Sequence, residues 1–351
     1  MVNPSSHLPF SLLLPLSTMV NPVNVIPRGA TIQLLPVGSK NLNIVLNFNT
    51  AEQYSDNPGH FGETIGRVAN RIKNALINDL DGRSWQLAKN NGENSLHGGV
   101  IGWGQKIWTG PTKVDYKEGT AYRYDLTSPN LDENFPGEVK ASVIYRIKDE
   151  GLKRRIEVEY EAELVSGAEE TCVNMTNHSY FNLNGDETIA GTVATLGTNL
   201  HLPMDATGIP IDESAAPYPK IFTNKPFTLT ATEPNIDDCF VFPNSFAAPD
   251  KIPIDTRPLP LRTLGSFYHP DTKIHLKIES TEPAFQFYTG QWNMLDARPD
   301  GTPKRIPRSG FCVEPSRFVD AVNRPAWKNM VLLKKGEKYG SKNVYTVWEE
   351  Q

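Results

Sequence analysis

The residue types best suited to proton-transfer chemistry are one histidine and one glutamate in unusual company. His178 lies in TCVNMTNHSYFNLNG (171–185), where one histidine, one tyrosine and four asparagines sit among apolar residues. It is the only side chain of that stretch whose unperturbed pKa lies near neutrality, which suits a general acid or base. Glu314 lies in SGFCVEPSRFVDAVN (309–323), flanked by Phe311, Cys312 and Val313. A carboxylate in apolar surroundings is costly unless partnered, and such groups tend to carry shifted pKa values. The plain alternatives are a buried histidine bonded to backbone, and a structural ion pair from Glu314 to Arg317 or Arg308.

Four further segments offer binding groups. NPGHFGETIGRVANRIKNA (57–75) sets Asn70 and Arg71 before Ile72, and an arginine there can present a planar fork of donors to ligand oxygens. Its alternative is an arginine that satisfies loop carbonyls. NNGENSLHGGVIGWG (90–104) places His97 beside two glycines, where a backbone or ligand can come close. Trp103 reads as core. Asp237 in NIDDCFVF (235–242) and Gln286 in AFQFYTGQW (284–292) are polar residues embedded in apolar sequence.

Many other chemistries lack their motif. There is no GxGxxG after a strand, no P-loop, no HExxH and no GxSxG. The seven histidines show no metal-type spacing, so neither a metal nor a cofactor is expected. The glycosylation patterns at Asn174 and Asn177 fall on the proposed site and are discounted. A glycoside hydrolase normally flanks the bond with two carboxylates, and only one is found here.

The elements that must position these groups are strands. Ile156 to Leu164 alternates apolar residues with four glutamates, which reads as a half-buried strand with its glutamates in water. Residues 140–149 and 273–280 alternate likewise. Asp81-Gly82 signals a hairpin, Thr50 and Gln53 a short capped helix over 50–55, and the prolines between 203 and 260 long loops with short edge strands. The sum is an all-β chain, a large sandwich expected to form one domain over 19–351.

The chain has 351 residues, 38% of them hydrophobic and 21% charged, with a formal net charge of −5. No basic patch stands out, which argues against nucleic acid. The three cysteines are far apart and sit beside apolar residues, as buried thiols in a reducing compartment would. A cytoplasmic location is expected, with secretion as the alternative. The apolar run at 8–16 is too short to span a membrane, is broken by prolines and has no Lys or Arg before it; the first is Arg28. MVNP occurs at 1–4 and again at 19–22, so residues 1–18 read as an extension of uncertain status.

Taken in order, NPGHFGETIGRVANRI, NSLHGG, TNHSYFNLNG, DDCFVF, FQFYTGQW and EPSRFVDAVN resemble the aldose 1-epimerase (galactose mutarotase) family, over about residues 30 to 349. The resemblance implies a large antiparallel β-sandwich of the galactose mutarotase-like type with an open sugar cleft. It implies interconversion of α and β anomers of free aldoses such as glucose and galactose. The partner implied is a small monosaccharide, with no nucleic acid and no membrane, acting on a monomer or weak homodimer. By motif, His178 resembles the general acid and Glu314 the general base. Asn70, Arg71, His97, Asp237 and Gln286 fall on sugar-contacting positions, with Tyr180 beside His178. Ser316, Val319 and Asp238 depart from the common pattern and bear on sugar preference. The inherited roles require His178 protonated at rest, its pKa held up by a nearby carboxylate, and Glu314 ionised. The asparagines around His178 are expected to frame its imidazole and nearby backbone. A hexose-phosphate epimerase of the same fold and a non-catalytic sugar-binding protein are the alternatives.

Overall fold

The strand Lys153–Ser166 contains the alternating run, and its apolar residues all turn to one side. It lies inside a nine-stranded antiparallel sheet ordered Thr109–Val114, Thr120–Ser128, Glu138–Glu150, Lys153–Ser166, Lys338–Glu349, Ile274–Ser280, Arg262–His269, Val193–Leu196 and Pro226–Thr228. The computed structural model describes residues 21–351, so the extension at 1–18 and its apolar run lie outside the described residues. The outward glutamates do not stand free in water as their alternation suggests. Arg146 bridges Glu157 and Glu159, Arg257 reaches Glu159 and Glu161, and Lys338 pairs with Glu163. Long cationic side chains from the two neighbouring strands and from the loop that carries Arg257 lie across the row and half-cover it.

A second antiparallel sheet has six strands, ordered Tyr180–Phe181, Phe311–Ser316, Ala284–Tyr288, Asp237–Val241, Leu200–His201 and Ala216–Pro217. Period-two alternation divides its residues between two faces. Phe285, Phe287, Phe311 and Val313 point inward and join the core cluster that contains Val158, Tyr160, Leu276 and Ile278 of the large sheet. Phe267 meets Phe311 across the two sheets with ring centroids 4.5 Å apart. The intervening residues, Gln286, Tyr288, Cys312 and Glu314, point to the opposite face. Register sets Gln286 beside Glu314, Asp237 beside Tyr288, and Tyr180 beside Cys312.

That outer face is roofed by the segment from about 57 to 105. Thr64–Ile65 pairs with Thr176–Asn177, and Arg71–Ile72 with Ser95–Leu96. Asp81 and Gly82 both adopt left-handed φ, of 53° and 75°, and turn the hairpin Leu76–Leu80/Arg83–Gln86. The helix expected over 50–55 is a short 3-10 segment at Glu52–Asp56, preceded by Ala51 rather than a capping Thr50 and without a side-chain cap; Gln53 Oε1 does accept the Thr50 N–H, at 3.0 Å. Gly66 has to be glycine, because a Cβ there would lie 2.2 Å from the Trp103 ring. The proline-rich stretch carries short strands, one α-helical turn, Pro243–Ala247, and one 3-10 turn, Pro249–Lys251.

Buried arginines tie the roof and sheets together. Arg67 donates to Pro136 O, Gly137 O and Ser128 Oγ, so of the two arginines in GRVANRI this one satisfies loop carbonyls. Arg317, just past the strand that carries Glu314, pairs at 2.9 Å with Glu282, and both side chains are fully buried. Arg317→Met leaves that carboxylate buried without its partner. The expected cost is about 3–5 kcal/mol in urea unfolding, most of it regained in Arg317→Met/Glu282→Leu, where no charge is left unpaired.

Candidate active site

The eight residues singled out in sequence, spread from 70 to 314, all line one cavity of about 440 Å³ on the outer face of the six-stranded sheet. Three elements supply them. Strands of the sheet give Asp237, Gln286, Glu314 and Tyr180, the roof gives Asn70, Arg71 and His97, and the link between Thr176–Asn177 and Tyr180–Phe181 gives His178. His178 is fixed through its backbone: its N–H donates to Glu63 O at 2.9 Å and its carbonyl accepts from Gly62 N at 3.0 Å.

His178 Nε2 lies 3.6 Å from Glu314 Oε1, and both side chains are almost wholly shielded from water. The other ring nitrogen, Nδ1, lies 3.6 Å from Cys312 Sγ. Cys312 and Glu314 are two residues apart on one strand, so a single strand face addresses both nitrogens of the imidazole. The expected asparagine frame of the imidazole is not there. Asn177 Nδ2 donates to Gly62 O and its Oδ1 accepts from Ser179 N, while Asn182 Nδ2 donates to Asp186 O and Ser309 O. These bonds hold backbone; no asparagine of the segment bonds the imidazole. Tyr180 packs against the ring face, with centroids 5.0 Å apart.

The binding groups form a chain of hydrogen bonds. Asn70 Nδ2 donates to Gln286 Oε1 at 3.1 Å, and Gln286 Nε2 donates to Asp237 Oδ1 at 2.8 Å. Arg71 Nε donates to Asn91 Oδ1 at 3.0 Å, which aims its guanidinium along the cleft wall. Asn70 and His97 grip each other: His97 N–H donates to Asn70 O, and Asn70 N–H donates to His97 Nδ1 at 3.2 Å. That second bond fixes a tautomer. Nδ1 accepts, so the neutral ring carries its proton on Nε2 and is a permanent donor toward the cleft.

His97, His178 and Glu314 each offer a ligand atom within 4.8 Å of the others, a spacing that raises the question of a metal. The donor set does not fit one. In His97 one nitrogen's lone pair is taken by a backbone N–H and the other nitrogen bears a proton, so neither is free to coordinate. The arrangement suits sugar oxygens instead.

Electrostatics overturn the protonation expected from sequence. Burial, with a smaller push from His60, lowers the His178 pKa to about 3. Burial, assisted by the charge of Asp237, raises that of Glu314 to about 8. Glu314 has no ion pair with Arg317 or Arg308; the positive charge of Arg71 partly offsets its own. At neutral pH the pair therefore rests as a neutral imidazole and a protonated carboxyl, the reverse of a resting imidazolium with a carboxylate. Burial likewise keeps the Tyr180 phenol and Cys312 thiol protonated, and lowers His97 well below its ordinary value.

Several cleft residues escaped the sequence reading. His60, Tyr288 and Trp292 also line it. Trp292 is 76% exposed at the rim. His60 Nδ1 sits 3.0 Å from Glu63 Oε2, and the three-residue spacing of these two was the available signal. Asp238 alternates away from Asp237, next to Tyr218 and His201. Asn174 and Asn177 are buried, which leaves no room for a glycan. Among the described residues Arg71 is the only lysine or arginine lining this cavity.

The sequence model for aldose 1-epimerase matches residues 18–346. The chain is 34% identical over 337 residues to the bifunctional protein gal10 of Schizosaccharomyces pombe, covering 93% of this chain and 44% of that protein. It therefore spans about half the length of this yeast relative. Bovine galactose mutarotase is also 34% identical, with 93% of this chain and 90% of that protein covered. Among solved structures, a GalM/aldose epimerase homologue from C. elegans superposes with a TM-score of 0.77 at 24% identity, covering 93% of this chain and 94% of that one. Galactose 1-epimerase from Lactobacillus acidophilus gives 0.73 at 22%, covering 94% and 91%. At those identities the structures establish the fold: an open, largely antiparallel β-sandwich of the galactose mutarotase type.

A buried carboxyl that keeps its proton has a direct signature. Isotope-edited infrared difference spectra should show a protonated carboxyl C=O band at pH 6 that is lost with a midpoint near pH 8 and is missing from Glu314→Gln. A fully ionised Glu314 at pH 6 would contradict the assignment.

Proposed function

Because this chain belongs to the aldose 1-epimerase family, we propose that it interconverts the α and β anomers of free aldohexoses, glucose and galactose among them. The observation that carries the reading is the His178–Glu314 pair, 3.6 Å apart, at the floor of a cavity whose walls present donors and acceptors from side chains already hydrogen-bonded to one another. Ring opening needs one base and one acid. Glu314 takes the proton of the anomeric hydroxyl, that O–H electron pair forms the carbonyl, the C1–O5 bond breaks, and the ring oxygen takes a proton from His178. Rotation about C1–C2 followed by the reverse transfers closes the other anomer. No net proton, electron or metal is consumed.

The two transfers move one shared proton between two arrangements: imidazolium with carboxylate before opening, imidazole with carboxyl after it. The pair by itself rests in the second, which is the arrangement that meets an open-chain aldehyde. A closed sugar shifts it to the first, because its anomeric hydroxyl donates to the carboxylate and its ring oxygen accepts from the imidazolium, and hydrogen bonds to a charged form favour that form. Asn70, Arg71, His97, Asp237 and Gln286 orient the ring so that both transfers are in reach. Tyr180 backs the imidazole. All eight groups come from one chain, which supports a monomer as the working unit. One arginine and no lysine on the cavity wall disfavour a hexose phosphate. The three buried free cysteines support a reducing, cytoplasmic setting.

Polarimetry of freshly dissolved α-glucose and α-galactose tests the reaction. His178→Asn and Glu314→Gln should each stay folded and lose roughly 10²-fold or more in rate, the usual worth of a positioned acid or base. Activity requires one proton on the pair, neither two nor none. The kcat/KM profile should therefore be level between about pH 3 and about pH 8, limited on the acid side by stability, and fall tenfold per unit above about 8 as Glu314 loses the shared proton.

A further inference from the structure

Beside the catalytic pair the cleft contains a second carboxyl–imidazole unit. Glu63 is fully buried. Its Oε1 accepts from Asn57 Nδ2 at 2.8 Å and from Gln105 Nε2 at 2.6 Å, and its Oε2 faces His60 Nδ1 at 3.0 Å. A carboxylate held by two amides and an imidazole is far more than a surface turn requires. His60 itself has the left-handed φ of 56°, which a residue with a side chain adopts rarely. Asn70 and His97, on the same cavity wall, share that conformation at 59° and 53°. Three left-handed residues that all turn their side chains into one cavity mark a surface shaped for what it holds.

The dyad is also locked to the catalytic histidine. His60 N–H donates to Asn57 O, Glu63 N–H donates to His60 O, and the Gly62–Glu63 backbone exchanges hydrogen bonds with both backbone groups of His178. The His60 ring lies 5.0 Å from His97 and 5.8 Å from His178, centroid to centroid. Since Glu63 accepts from Nδ1, the neutral His60 carries its proton there and exposes the Nε2 lone pair. Among the described residues no hydrogen-bond partner occupies that nitrogen. His97 has the opposite tautomer and offers an N–H. The two neighbouring imidazoles therefore form a complementary pair, one acceptor and one donor, each tautomer fixed by a bond made away from the cavity.

We propose that His60, held by Glu63, is a further substrate-contacting residue: a fixed hydrogen-bond acceptor that selects for one hydroxyl of the aldose. This rests on the anomer-interconverting function proposed above. A hydroxyl that donates to His60 Nε2, while its own or a neighbouring oxygen accepts from His97 Nε2–H, is read as both donor and acceptor. A sugar lacking it leaves His60 without a partner, and sites built on such bonds reject the deoxy analogue.

The test uses the whole protein, with anomer exchange measured on glucose, galactose and their 2-, 3-, 4- and 6-monodeoxy forms. His60→Phe should raise KM on the parent sugar about tenfold with kcat changed less than about twofold, as loss of uniform binding does. The penalty should vanish on the one deoxy sugar that lacks the bonded hydroxyl and persist on the others. Glu63→Gln, which frees Nδ1 to accept and so releases the tautomer, should show the same position dependence in weaker form. His60→Asn keeps a donor for Glu63, but its remaining carbonyl oxygen falls one bond short of the place where Nε2 presents its lone pair, so it should behave like His60→Phe even if the bulkier ring disturbs folding. A KM penalty equal on every deoxy sugar, or an unchanged KM in folded His60→Asn, overturns the inference while leaving the function intact. A folded wild-type chain with no mutarotation on any aldose overturns the function first.

Discussion

Two titratable groups in contact and out of water can carry only one proton between them over a wide range of pH, and the site is organised around that constraint. Were Glu314 open to solvent it would stay ionised, and an ionised neighbour would lock His178 as an imidazolium. Burial removes the advantage of the charged forms for both groups. The neutral arrangement is then the preferred one, and hydrogen bonds from a bound sugar to the two charged forms have to offset that preference before the ring opens. Acid and base roles exchange in mid-reaction because a single proton is shared by two groups that can each accept it from the sugar and return it. The features that keep water out, the roof over residues 57–105 and the apolar packing around Cys312 and Tyr180, therefore act on the chemistry as directly as the two groups themselves.

The two-residue repeat of a strand does most of the positioning. In Phe311–Ser316 it sends Phe311 and Val313 into the sandwich and presents Cys312 and Glu314 to the cleft. Register carries the pattern across neighbouring strands, so Gln286 and Asp237 meet the same cavity without any loop having to place them. This part was legible beforehand. Alternation marked the strands, Asp81-Gly82 marked a hairpin, and polar residues embedded in apolar strands marked the cavity-facing positions. The motif resemblance then told which of those positions to group, and the structure collects all eight in one cleft.

What sequence could not convey was of two kinds. Protonation depends on burial from all sides, and no local window shows that His178 is enclosed by His60, Tyr180 and Cys312. The expectation of a resting imidazolium failed for that reason. The second kind is choice of partner among similar residues. Arg67 and Arg71 stand four apart in one motif, yet one is sunk among carbonyls and the other faces the cleft. Asn177 and Asn182 sit where an imidazole partner was expected but serve backbone groups, because irregular chain between short strands leaves amides and carbonyls that only side chains can satisfy. His60 was passed over since a histidine in a glycine-rich turn looks like punctuation until Glu63 is seen beneath it.

The hydrogen bond from Asn70 to Gln286 closes a separation of 216 residues, and the one joining Gln286 to Asp237 closes a separation of 49 within it. Contacts so distant along the chain form late, because loop-closure entropy has to be overcome before they return anything. No short fragment of this chain contains the whole site. The cavity exists only after both sheets have docked and the roof has closed, so recovery of turnover during refolding is a clock for the last assembly step, slower than the recovery of β-structure that precedes it.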